Sequence, residues 1–442
     1  MSNPGVFFHV DNLSLIMIGL VSFVGVCIAT FSFRYLKGDS KQMRFYCNLI
    51  ALVLVIFVLV SADHILLIFL AWATSNLLLT RLMLHKKQWE AARQSYLLAL
   101  RSFILGLCFL GSALMILYID TGYTSIQKII SHTGGSIWFF CAAALLLLGA
   151  MTQSALWPFH RWLTSSLNCP TPVSAIMHGG LVNGGGFILA RFAPILLEQP
   201  IIINIVFIVG IISAILGTLW KLMKSDVKSM LACSTMGQMG FMIAQCGLGL
   251  FPAAVAHLCW HGLFKAYLFL SSSSAAQEKR LDLDYPPSLH HFILSFFYGA
   301  IGAYMFSLSS GKNIFVSDTT VFLIVLAMIA GAQFSLPIIR SQSIAKIPLV
   351  LIAVVFMGSI YGFSVKLIQQ VLSPLHIWVP QPLNSIHIIA LILLFAAWLS
   401  IIFGRNAKHS YPHWILKIYV HMLNASQPHP KTVTAHRNHY QF

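Results

Sequence analysis

The chain has 442 residues, of which 58% are hydrophobic and 9% charged, with a formal net charge of +16. A soluble domain carries about 25% charged residues, so the composition excludes a soluble enzyme. The basic residues fall in short loops between apolar runs, which makes them membrane-loop charges and excludes nucleic acid as their target. About 13 apolar segments are long enough to cross roughly 30 Å as helices. They lie near residues 12–33, 46–62, 64–84, 97–119, 136–157, 172–194, 200–220, 229–249, 252–275, 291–309, 319–338, 347–370 and 384–403. The fold class expected is therefore all-α, a polytopic transmembrane helix bundle over residues 1–404, followed by a cytoplasmic tail at 405–442.

Alternate loops differ in charge. Arg34, Lys37, Lys41 and Arg44 stand on one side, with Lys86, Lys87 and Arg93, Arg161, Lys221, Lys224 and Lys228, Lys279 and Arg280, Arg340 and Lys346, and the tail from Arg405. The other side holds Lys128 and Lys312. This asymmetry places the basic loops and the C-terminus in the cytoplasm and the N-terminus outside. The opening MSNPGVFFHVDN lacks a basic n-region and a small-residue cleavage site, so no cleaved leader is expected. The eight cysteines include no C-x-x-C pair and read as apolar packing residues, with neither a disulfide framework nor a metal site. Trp414–Leu423 reads as a short interfacial helix, and the rest of the His-rich tail, from His409 to His439, as a solvated polar segment.

The stretch from Gly149 to Leu197 organises the rest. An apolar helix arriving from Ser136 breaks at Trp157–Pro158, since proline cannot continue the helical ladder. A polar segment with His160 and Arg161 follows. Pro170 and Pro172 then frame a second apolar helix bearing His178 and the glycines 179, 180 and 184–186. A break at membrane depth is tolerated only where protein or a wet cavity satisfies the freed backbone groups, so a polar-lined site between packed helices is expected here. A packing kink with a hydrogen-bonded core histidine is the blander alternative.

Charged residues in mid-membrane are costly and mark functional positions. Here they are Arg81, Arg101, His178, Arg191, Lys221, His257, His261, Lys265 and Lys366, of which Arg81, Lys221 and Lys366 can snorkel to a surface. His257, His261 and Lys265 recur every fourth residue and share one helix face. Histidine and lysine can each take up and release a proton, so this face is a candidate stepwise relay for a proton or cation. A polar stripe sealed by hydrogen bonds is the alternative.

S-A-x-x-P-x-x-x-W-L followed by P-T-P-V-S-A-x-x-H resembles the core of the antiporter-like subunits of respiratory complex I and multisubunit cation/proton antiporters. Q-S-A-L-W-P-F-H-R-W-L-T-S-S-L-N with G-L-V-N-G-G-G-F-I-L-A-R-F-A-P is similar, more specifically, to the DabB membrane subunits of two-part DabA–DabB inorganic carbon transporters. The resemblance runs from Val10–Ser14 to about Leu270. It implies an antiporter-like fold with a broken helix near Pro158 and a relay through His178, His257, His261 and Lys265, with Arg101, Gln153, His160, Arg161, Asp226 and Lys228 as accessory positions. Ser225–Met242 matches the family's T-D-x-K-R-x-L-A-Y-S-T segment and puts Asp226 and Lys228 at a cytoplasmic turn, where a local ion pair is expected.

The departures bear on mechanism. The family's W-E glutamate is Trp72–Ala73 here, its K-S-A lysine is Gln153–Ser154–Ala155, and an acidic position after Arg101 is Ile104. The two helices that precede D-N-L-S-L-I-M in complex I subunits, and their lateral C-terminal helix, are expected to be absent. The resemblance implies a non-enzymatic membrane subunit of an inorganic carbon (CO2/bicarbonate) transporter in the bacterial inner membrane. It would link a proton or sodium gradient to a zinc-containing, cytoplasmic DabA-like partner. No zinc ligand set, P-loop or dinucleotide motif occurs in the chain, so no cofactor of its own is expected. A subunit of a cation/proton antiporter or respiratory/hydrogenase complex, and a non-conducting assembly subunit of the same fold, remain as alternatives.

Overall fold

The computed structural model describes residues 7–132, 134, 136–272, 287–315, 317–341, 347–403 and 412–433. Lys279, Arg280, Lys346, Arg405, His409 and His439, named above, lie outside the described residues. The helices are α1 (Asn12–Tyr35), α2 (Gln42–Ser61), α3 (Ile65–Met83), α4 (Glu90–Thr121), α5 (Ile126–Ser131), α6 (Ile137–Gln153), α7 (Arg161–Thr164), α8 (Thr171–Gly179) and α9 (Gly184–Arg191). They continue as α10 (Ala193–Leu197), α11 (Pro200–Leu222), α12 (Val227–Gly247), α13 (Phe251–Leu270), α14 (Leu289–Ser310), α15 (Thr320–Ser341), α16 (Ile347–Val371), α17 (Ser385–Phe403) and α18 (His413–Ala425). Among the described residues, 11 helical stretches are long and apolar enough to span a membrane, with α8 and α9 counted together as one. The expected number of about 13 adds α6, which has 17 residues, and the more polar α12.

The ends of the helices follow local chemistry. Asp11 caps α1 by accepting from Ser14 N at 2.8 Å, and Ser136 caps α6 by accepting from Trp138 N at 3.0 Å. These bonds satisfy amides that have no partner within the helix. Gly122 ends α4 and Gly311 ends α14, both in the left-handed conformation that glycine adopts without strain.

The chain divides into two compact units: Met1–Gly247 with His257–Gln277 and Lys417–Phe442, and Leu248–Ala256 with Glu278–Leu416. In the first, α11 and α12 pack at backbone distance. A Cβ built on Gly217 would lie 2.3 Å from Gly237 N, and one on Gly210 2.4 Å from Ala244 N. Small residues at four-residue spacing allow this approach, which is how membrane helices gain dispersion contacts without a hydrophobic driving force. In the second unit Ala332, Leu336, Trp398 and Ile402 form a core on α15 and α17.

The tail departs from the solvated segment expected. Ser426 and Thr432 are buried, Met422 and Ala425 pack on the cluster Trp220–Cys233–Met236, and Lys224 Nζ donates to Ser426 O at 2.6 Å. His429 N donates to Ser165 Oγ at 2.8 Å, and Asn168 Nδ2 to Thr432 O at 2.7 Å. The tail is held largely through its backbone carbonyls, which its polar composition does not reveal. His413 and His421 are exposed, as a solvated face requires.

Candidate functional site: a buried histidine–lysine cluster

Two breaks shape the site, one of them unforeseen. α6 ends at Gln153, five residues before Pro158 rather than at it. The span expected as one helix over 172–194 is interrupted at Gly180 by a 3-10 turn, Leu181–Asn183, that separates α8 from α9. Three carbonyls at this second break are collected by side chains of the protein. Asn183 Nδ2 donates to Gly179 O at 2.9 Å, Gln153 Nε2 to Leu181 O at 3.3 Å, and Ser154 Oγ to Val182 O at 2.8 Å. Trp162 Nε1 closes Thr152 O of α6 at 2.9 Å. Backbone without water at this depth requires such partners, so Gln153 and Ser154 are explained by the break they satisfy.

Around the break sit the four residues expected as a relay. His178, at the end of α8, is 1% exposed; His261 is 4% and Lys265 0% exposed on α13, and His257 is 9%. His257 and His261 face each other with ring centroids 6.3 Å apart and nearly parallel planes. His261 lies within electrostatic reach of His178, His257 and Lys265. The four residues are thus gathered in the first unit, the three on α13 sharing one helix face and His178 coming from α8.

Neutral groups that sequence reasoning did not single out fix their orientation. His178 Nδ1 meets Thr235 Oγ1 at 3.0 Å, while Thr235 Oγ1 donates to Leu231 O at 3.0 Å. A hydroxyl has one proton to donate, and that proton is committed to Leu231. His178 therefore carries its hydrogen on Nδ1 and donates it to Thr235. The same reasoning applies to His261: Asn183 has turned its amide NH2 to Gly179 O, so its Oδ1, 3.3 Å away, accepts from His261 Nδ1. Among the described residues, His261 Nε2 and His257 Nε2 have no hydrogen-bond partner. Lys265 Nζ donates to Leu231 O at 3.2 Å, so that one carbonyl joins the lysine and threonine ends of the cluster. Phe269 stacks on His178 at 4.3 Å and closes one face of it.

The helices meet here backbone to backbone. A Cβ on Gly262 of α13 would lie 2.7 Å from Gly179 O, and one on Gly179 2.8 Å from Gly262 O. Gly262→Ala is expected to lower the thermal midpoint of the protein in detergent by the equivalent of about 1–3 kcal/mol, the usual cost of overpacking. Gly19→Ala, where a Cβ meets nothing within 4 Å, should leave the midpoint unchanged or raise it.

The accessory positions separate. Gln153 Nε2 also donates to Asn76 Oδ1 of α3 at 3.0 Å, so a neutral amide pair occupies the region where the family pattern has a glutamate and a lysine. A cavity of about 20 Å³ beside Trp72, Ser75, Gln153 and Gly184 has room for about one water. His160 is buried against Trp220 at 4.6 Å, and burial pushes its pKa down to about 4, so it is neutral at pH 7. Arg101 and Arg161 are exposed and are not brought to the cluster. The ion pair expected between Asp226 and Lys228 does not form. Asp226 Oδ1 instead caps α12, accepting from Ser229 N at 2.7 Å, and Lys228 Nζ donates to Cys169 O at 3.0 Å. An orphan amide and an orphan carbonyl each outbid a solvent-exposed ion pair, which contributes little.

One further charged group lies deep in the first unit. Arg191 of α9 holds Asp11 through both terminal guanidinium nitrogens, and its Nη2 also donates to Ser14 Oγ and Val60 O, each at 2.9 Å. Burial alone would raise the Asp11 carboxyl; the Arg191 charge and hydrogen bonds and the Ser14 donors outweigh it and hold the pKa below its ordinary 3.8. The partners are 180 residues apart, so no local pattern could have paired them.

With this geometry in place, residues 62–292 match the model of the family described as NADH:quinone oxidoreductase/Mrp antiporter, transmembrane, more than half of the chain. The chain belongs to that family. Residues 3–46 match the N-terminal model of complex I chain 5. The chain is 35% identical over 296 residues to "Probable inorganic carbon transporter subunit DabB1" of Halothiobacillus neapolitanus (strain ATCC 23641 / c2), covering 65% of this chain and 53% of that one. It is 30% identical over 434 residues to DabB2 of the same organism, covering 94% and 77%. Its fold matches a chain of the Mrp complex from Dietzia sp. DQ12-45-1b with a TM-score of 0.58 and 21% identity, over 94% of this chain and 48% of that one. Four of the curated DabB relatives it matches are about twice as long as the aligned region, so the chain spans about half their length. The resemblance carried by Gln153–Asn168 and Gly180–Pro194 is thereby borne out, and with it the multi-pass, antiporter-like fold.

Proposed function

We propose that the chain is the membrane subunit of an inorganic carbon transporter of the DabB class. In this reading it couples a proton or sodium gradient to a zinc-containing, cytoplasmic DabA-like partner and carries out no reaction chemistry itself. The observation that carries the coupling role is the buried cluster in which two histidines are pinned through Nδ1 and a lysine shares a carbonyl with one of their anchors. Histidines fixed in this way present Nε2 as the position where a proton arrives and leaves. Lys265 ends the series as a group that can hold the charge, and the carbonyl of Leu231 keeps it in place. The neutral Asn76–Gln153 pair takes no part in transfer, so the route relies on His178, His257, His261 and Lys265. The orientation that goes with this reading has the basic loops and the docked tail on the cytoplasmic side of the inner membrane.

A second reading, a subunit of a cation/proton antiporter or respiratory complex, is favoured by the family model itself, which spans both kinds of complex. Purification distinguishes the two. The tagged chain is expected to bring down a single large zinc-containing protein, and the pair together, but neither alone, to restore growth in ambient air to a CO2-requiring host. Recovery of a set of respiratory subunits instead, or full rescue by this chain alone, would refute the first reading.

A further inference from the structure

The second unit contains a cavity that the relay does not use. It has a volume of about 660 Å³, is open on one side, and lies where the C-terminal ends of α14 and α16 meet the segment 372–378. On the orientation proposed above, this end faces away from the cytoplasm, the side on which basic residues are scarce. Yet Lys312 and Lys366 both line the cavity, and no aspartate or glutamate is among its lining residues. Lys312 is not a loose surface amine. Its Nζ donates to Gln369 Oε1 at 2.5 Å and stands 3.7 Å above the ring of Trp378. A cation held over an indole face is fixed by the ring quadrupole while its remaining hydrogens stay free to donate. Lys366 lies three residues before Gln369 on α16 and therefore on the same helix face. Asp318, which acts on Lys312 electrostatically, uses Oδ1 to cap α15 through Thr320. Burial lowers the Lys312 pKa to about 8, the direction expected of an amine whose charge lacks a close counter-ion. Gln370 adds a neutral amide donor to the lining.

We propose that this cavity binds a small oxyanion between the amines of Lys312 and Lys366. Two amines, an amide donor and no carboxylate among the lining residues favour a compact group with several oxygens. Such a group can come free, as bicarbonate or inorganic phosphate, or as the phosphate of an anionic lipid headgroup. The proposal does not depend on the relay or on the partner.

The test uses the full chain in nanodiscs, where both faces are accessible and the result is independent of orientation. Lysines are labelled with an amine-reactive ester and quantified by peptide mass spectrometry. In neutral phosphatidylcholine discs, millimolar bicarbonate or phosphate is expected to slow labelling of Lys312 and Lys366 at least threefold relative to chloride of equal ionic strength, with Lys128 unaffected. Protection that appears only when phosphatidylglycerol is added assigns the ligand as a headgroup. Lys312→Gln should abolish protection of Lys366, and Lys366→Gln that of Lys312, which tests each amine without removing the other. No protection by bicarbonate, phosphate or phosphatidylglycerol, or equal protection of Lys128, overturns the proposal.

Discussion

Lys265→Met, in a complex that still assembles, is expected to reduce cation-coupled bicarbonate uptake about 100-fold or more, the scale on which a positioned proton-transfer group contributes. Methionine fills similar space at this fully buried position, so the change removes the titratable nitrogen and its bond to Leu231 O while leaving little cavity. Lys265→Arg should fail to the same degree, because a guanidinium keeps its proton at any physiological pH. His178→Ala should be severe but less complete, since the space beside Phe269 can admit water. Radiolabelled bicarbonate uptake by reconstituted complexes, with and without an uncoupler, measures all three, and a pull-down establishes assembly. Uptake that stays at the wild-type level and uncoupler-sensitive in both Lys265 variants would show that α13 is a sealed polar stripe and carries no relay.

The second large effect lies at Asp11. Asp11→Ala leaves the Arg191 guanidinium buried without its carboxylate, and removing one partner of a buried pair costs about 3–5 kcal/mol. The double variant Asp11→Ala/Arg191→Met should regain most of that loss, because a pair replaced by apolar groups leaves no orphan charge. The thermal midpoint in detergent reports both. The pH dependence has a definite sign. A carboxyl whose folded pKa lies below 3.8 contributes its stability above that value and loses it as pH falls through the folded pKa. The difference between wild type and Asp11→Ala should therefore be constant from neutral pH to about pH 4 and shrink only in stronger acid. A midpoint unchanged by Asp11→Ala at pH 7 would mean that the pair adds nothing to the fold.

Most of the spanning helices were legible because they are apolar runs of membrane length. The face shared by His257, His261 and Lys265 was legible because four-residue spacing survives folding. Asn183 and Thr235 were not, since a neutral polar side chain in an apolar helix gives no cue to its role. The signal nearest to hand was Asn183 interrupting the run G-L-V-N-G-G-G, where the glycines read as packing residues and conceal a 3-10 break. Gln153 was visible as a departure from the family's lysine, but its partners Asn76 and Leu181 belong to segments 77 and 28 residues away. Asp226 and Lys228 were paired from proximity in sequence, whereas the unsatisfied backbone of α12 and of Cys169 claimed them separately.

The docked tail sets an order on biosynthesis. The bonds Asn168–Thr432 and His429–Ser165 each join residues 264 positions apart. At about 5–20 residues per second, the ribosome takes on the order of 10–50 s to supply the second partner after the first. In the later part of that interval, once α13 has been made, every span that builds the histidine–lysine cluster is present while the His160 and Trp220 surface of the first unit has no tail to cover it. The cluster can thus be complete while the surface that the tail covers is still open. During that window a chaperone or an assembling subunit has access to residues that the finished chain conceals.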